Sequence, residues 1–93
     1  MIEPKIKYIV LDLLRPHQPY LPDFAIFLGE LEGIKRVDIS VIEIDDNTES
    51  LKLIIDGVID YEILRAHLSK HGAVIKSVDQ VIVTPFLTDA HSP

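Results

Sequence analysis

Apolar positions recur along this chain with two different periods, and the switches between them mark six elements. Residues 5–14, KIKYIVLDLL, read as a strand whose centre is apolar on both faces, as in the middle of a sheet. Pro16 and Pro19 close it. Residues 20–32 turn to helical spacing, with Phe24, Phe27, Leu28 and Leu31 on one stripe. Pro22 fits the first turn, where its missing N–H costs no hydrogen bond, and Asp23 suits the positive end of the helix dipole. Gly33 follows as a left-handed terminator. Ile26 lies off the stripe, as a surface residue or a subunit contact.

Strict alternation returns in residues 36–44, which set Val37, Ile39 and Val41 against Asp38, Ser40 and Ile42. The polar turn DDNTE at 45–49 leads into a partner strand at 50–56, so the pair reads as a β-hairpin. Residues 60–71 form a second helix with Asp60 as N-cap; Tyr61, Leu64 and Leu68 face the core, and Gly72 closes it. A last strand covers 74–84, and PFLTDAHSP reads as a frayed tail. The order β-α-β-β-α-β with short connections predicts an α+β, ferredoxin-like sandwich: a four-stranded antiparallel sheet with two helices on one face. A single domain over residues 1–86 and a flexible tail at 87–93 are expected. The other sheet face receives either Tyr8 and Val10 or Ile9, Leu11 and Leu13. Either choice predicts exposed apolar side chains in a monomer, and hence association with further copies.

Length and composition narrow the rest. Ninety-three residues with 47% apolar content make one small domain with a two-layer core. The net charge of −6 argues against a nucleic-acid groove and against anionic membrane surfaces. No apolar run approaches the roughly 20 residues of a membrane span. Without cysteine there are no disulfides or thiolate metal sites. The N-terminal MIEPKIKYIV lacks the layout of a signal peptide, and the expected location is cytoplasmic.

The stretches VLDLLRPHQP, ELEGIKRVDISVIEIDDNTESLKLIIDG, IDYEIL and GAVIKSVDQVIV together resemble the small archaeal proteins grouped as domain-of-unknown-function family 211. That resemblance implies a ferredoxin-like fold and ring-shaped homo-oligomers, with no established activity and no site residue to carry over. The family's last strand motif usually has His and Glu where this chain has Lys76 and Gln80, so a site built from those two side chains would be altered here.

Three constellations could carry chemistry. Arg15 and His17 stand just before a helix N-terminus, where free backbone N–H groups favour an anion. The bland alternative, and the favoured one, is a strand-to-helix corner stiffened by Pro16 and Pro19. In it Leu11 and Leu13 or Leu14 act as anchors and His17 orients the loop. Asp12 near His17 is an acid–base pair only in outline, because no nucleophile accompanies it. Glu43, Asp45, Asp46 and Glu49 concentrate negative charge around the hairpin turn. They suggest a surface site for a divalent cation such as calcium, although Ser50 stands where an EF-hand needs Gly. His67 and His71, four apart on a helix, have the spacing of two metal ligands, but their place beside Leu64 and Leu68 favours packing.

The expected function is a self-assembling binding or regulatory module, a homo-oligomer larger than a dimer with an unidentified small ligand. A divalent-metal-binding or metal-sensing oligomer is the alternative, and an enzyme with a site shared between subunits the second. The balance leans away from an enzyme.

Overall fold

The computed structural model describes residues 2–87. Its elements are β1 (Ile2–Pro16), α1 (Leu21–Gly29), β2 (Ile34–Ile44), β3 (Thr48–Ile59), α2 (Tyr61–Lys70) and β4 (Val74–Leu87). The strands form one antiparallel sheet in the order β2-β3-β1-β4, which places the two most apolar strands in the middle. Both helices lie on one face. This is the expected β-α-β-β-α-β sandwich.

Register assigns the faces. Ile9, Leu11 and Leu13 of β1 pair with Ile55, Leu53 and Leu51 of β3, and all six are buried beneath the helices. Phe24 and Leu28 of α1 and Leu64 and Leu68 of α2 close the core from above. Asp60 caps α2, accepting from the backbone N–H groups of Glu62 and Ile63. Gly33 and Gly72 have positive φ at the two helix exits, as their positions in the sequence predict.

Tyr8, Val10, Asp12 and Leu14 occupy the opposite face. That face is less apolar than the sequence suggests. Its cross-strand rows bring in Asp38, Ser40, Lys52, Asp56, Ser77 and Gln80 alongside the apolar Ile54, Val74 and Ile82, and Val10 is only 5% exposed. Arg36 donates to Asp56 at 2.9 Å and Asp38 at 3.2 Å. Exposed apolar side chains lie around the helices, at Tyr20, Ile26 and Ile63, and on the edge strands: Val41, Ile42 and Ile44 on β2, and Val74, Val78, Val81, Ile82 and Val83 on β4. Val74 and Ile82 are in register with Leu14 and Tyr8 of the open face.

The cause is a mismatch of lengths. Strands of 11–15 residues extend roughly 35–50 Å, whereas helices of 9 and 10 residues cover roughly 15 Å. The helices shelter the central strands and leave the flanks open. β4 also runs beyond the predicted end at Thr84: Pro85, Phe86 and Leu87, assigned to the tail from sequence, pair with Pro4, Glu3 and Ile2. The remainder of the predicted tail, residues 88–93, lies outside the described residues.

Candidate functional site

The stretch LDLLRPHQP ends β1 and forms the corner that leads into α1. Alternation carries Arg15 onto the same face as Leu11 and Leu13, so its guanidinium enters the core, 1% exposed. A charge in such a place needs a partner and hydrogen bonds. The partner comes from register: Glu49 lies opposite Arg15 on β3. Arg15 Nε donates to Glu49 Oε2 at 3.0 Å. Nη2 donates to the carbonyls of His17, at 3.4 Å, and Pro19. The guanidinium carbon lies 4.5 Å from the Phe24 ring centroid, a cation–π contact that ties the charge to α1.

His17 completes the cluster from the corner. Its Nδ1 faces the second oxygen of Glu49 at 3.3 Å. Its Nε2 faces the Asp45 carbonyl at 2.8 Å and the Asp46 carbonyl at 3.2 Å. Every one of these neighbours is an acceptor, so the arrangement suits an imidazolium donating from both nitrogens. The Glu49 carboxylate, then the Asp45 carbonyl, raise the His17 pKa above its ordinary 6.5. One carboxylate thus joins two cationic side chains, and through them three segments: the end of β1, the corner at 16–19 and the turn at 45–47.

Arg15 and His17 are brought together as the sequence suggests, but they converge on Glu49. Asp12 is on the other face of the sheet and takes no part. Within the acidic turn, Glu49 is buried against Arg15, whereas Glu43, Asp45 and Asp46 are exposed and Asp45 and Asp46 meet His17 through their backbone carbonyls. Among the described residues, no three His, Cys, Asp or Glu side chains are grouped to hold a metal ion.

His67 and His71 meet on Phe27 of α1. The His67 ring is stacked on it at 3.7 Å between centroids and 3° between planes, and His71 lies at 3.5 Å and 41°. The His67 Nε2 bonds the Phe27 carbonyl at 3.1 Å. The pair therefore docks α2 onto α1. Sequence spacing placed the two imidazoles on one face but gave no sign of the phenyl ring between the helices; nor did it reveal Glu49 as the partner of Arg15, since that depends on hairpin register.

A concavity of about 680 Å³ lies at the opposite end of the sheet, between the start of β1, the α1–β2 connection and the start of α2. Its polar rim is already engaged in part: Asp60 caps α2 and Lys5 pairs with Glu3 at 3.2 Å. No helix among the described residues is long and apolar enough to cross a membrane.

The chain is similar to an uncharacterized protein of the archaeon Methanocaldococcus jannaschii, with 40% identity over 78 residues, covering 83% of this chain and 80% of that protein. The model of the DUF211 family, described as uncharacterized ArCR, matches residues 7–92 and so takes in all of the sandwich except the first residues of β1, together with the Arg15–Glu49–His17 corner. The chain therefore belongs to domain-of-unknown-function family 211.

Proposed function

We propose that this protein is a self-assembling binding or regulatory module, a homo-oligomer larger than a dimer whose copies meet along their edge strands. One observation carries the reading. β4 is an edge strand whose Val81, Ile82 and Val83 are 44%, 42% and 49% exposed, on both faces of the sheet at once. A long apolar edge with unpaired backbone groups invites strand addition unless it is guarded. The first half of β4 is guarded: Lys76 and Asp79 are extra residues at two register shifts against β1. From Gln80 onward β4 has no extra residue of its own; the third irregularity, opposite Ile82 and Val83, puts the extra residue, Lys7, on β1. The other edge, β2, offers Val41, Ile42 and Ile44. Pairing β4 of one copy with β2 of the next is a head-to-tail contact, and such contacts close into rings when the rotation allows.

The lean away from catalysis within one chain is supported by the engagement of its candidate side chains. Arg15, His17 and Glu49 are engaged with one another, and the two remaining described histidines are packed on Phe27.

Light scattering at low micromolar concentration tests assembly. The expected mass exceeds that of a dimer. Val81→Glu with Val83→Glu should yield a smaller species with an unchanged far-ultraviolet circular dichroism spectrum. A monomeric wild-type protein would overturn the reading.

A further inference from the structure

The Arg15–Glu49–His17 cluster holds two backbone segments by different means. Arg15 grips the corner itself, through the carbonyls of His17 and Pro19. Its charge persists throughout the accessible pH range. Of the two cations it is His17 that reaches the hairpin turn, through the carbonyls of Asp45 and Asp46, and an imidazole is the side chain that changes charge in the physiological range. The permanent cation is buried and the switchable one is at the surface, both on one carboxylate.

We propose that His17 is a proton-operated clasp, which as an imidazolium fastens the β2–β3 turn to the β1–α1 corner and on losing its proton lets the turn go.

The geometry requires this asymmetry. A neutral imidazole has one N–H. If it keeps the hydrogen on Nε2 for the carbonyls, its Nδ1 lone pair faces the Glu49 carboxylate at 3.3 Å. If it keeps the hydrogen on Nδ1, the Nε2 lone pair faces two carbonyl oxygens. Only the doubly protonated ring satisfies both sides.

The ionisable neighbours that face His17 are few. Glu49 comes from β3 and favours the charged ring. Arg15 comes from β1 and is already bonded to the other oxygen of that carboxylate. The turn approaches through backbone carbonyls, whose partial negative charge also favours the charged ring. Release leaves the tip of the turn with its own internal bond, from Asp45 N–H to the Thr48 carbonyl at 2.8 Å, while its base stays in the ladder, where Thr48 lies opposite Pro16 and Ile44 opposite Glu49. The clasp acts within one chain and holds whether or not copies assemble.

Nitrogen-15 NMR of the wild-type protein reads the ring directly. The His17 ring should show two protonated nitrogens at about pH 6, and its titration midpoint should lie above the usual 6.5. Hydrogen exchange of the amides at 45–48, corrected for intrinsic rates, should be severalfold faster at about pH 9 than at about pH 5.5, on either side of the histidine range. In His17→Gln this step should vanish, with the turn loose at both values. A wild-type midpoint at or below 6.5, a turn whose protection does not change with pH, or a step that survives in His17→Gln would each overturn the clasp.

Discussion

Arg15 occupies a core position that alternation assigns to an aliphatic side chain, and its stability rests on Glu49. Removing one member of a buried pair leaves the other charge unpaired, which typically costs about 3–5 kcal/mol, whereas replacing both members with apolar residues of similar volume is often neutral. Glu49→Ala is therefore expected to lose about 3 kcal/mol in urea unfolding, toward the low end because two carbonyls and Phe24 still contact the guanidinium. Arg15→Met with Glu49→Leu should lose much less than Glu49→Ala alone. A double variant as unstable as the single one would contradict this account. For His17 the sign follows from a folded pKa raised above the unfolded one. Its stabilisation is complete below the unfolded value of about 6.5 and disappears as pH rises through the raised value. The melting temperatures of wild type and His17→Gln should therefore differ at about pH 5.5 and converge toward about pH 9. In the sequence, the corner reading of LDLLRPHQP was available from the prolines and the alternation. The identity of the partner was not, because Glu49 is 34 residues away and joins Arg15 only once β1 and β3 are in register.

At the scale of elements, hydrophobic period alone identified all six, since the stripe of α1 and the alternation of β2 are local properties. The ends moved: β1 gains Ile2–Pro4 and β4 gains Pro85–Leu87 because the two strands pair beyond the body, a stabilisation that no local pattern records. Close approach between elements was equally hidden. Gly33 and Gly57 have φ of +89° and +147° where the start of β2 crosses the end of β3. A Cβ on Gly57 would stand 2.2 Å from the Gly33 carbonyl oxygen, inside any permitted contact. Gly57→Ala should thus destabilise by at least the roughly 1–3 kcal/mol of a strained backbone position. Gly29 ends α1 with open space around its Cβ direction. Gly29→Ala should stabilise by up to about 1 kcal/mol, through helix propensity. Urea midpoints moving in opposite directions for these two substitutions check both statements.

At the scale of the molecule, the decisive quantity is the difference in reach between long strands and short helices, and it relocates the apolar surface. Sequence alternation could show that the second face of β1 carries Tyr8 and Val10. It could not show that neighbouring strands would set Asp56 and Ile82 beside Tyr8 and Ile54 and Gln80 beside Val10, nor that valines on the helix side of β4 would lie beyond the cover of α2. The proposed contact is consequently an edge contact, and that distinction is measurable. In an antiparallel strand alternate backbone groups point toward each neighbour, so about half of the β4 amides face β1 and the rest face outward. For an isolated edge the outward amides exchange quickly and their rates ignore protein concentration. If another copy adds a strand there, those amides gain partners by mass action, and their protection rises with concentration. Hydrogen exchange resolved by NMR across residues 80–84 should show this dependence for the outward amides only, while those bonded to β1 remain slow throughout. Association through the open sheet face would instead leave the outward amides fast at every concentration. That outcome would move the contact away from β4 even if light scattering found an oligomer.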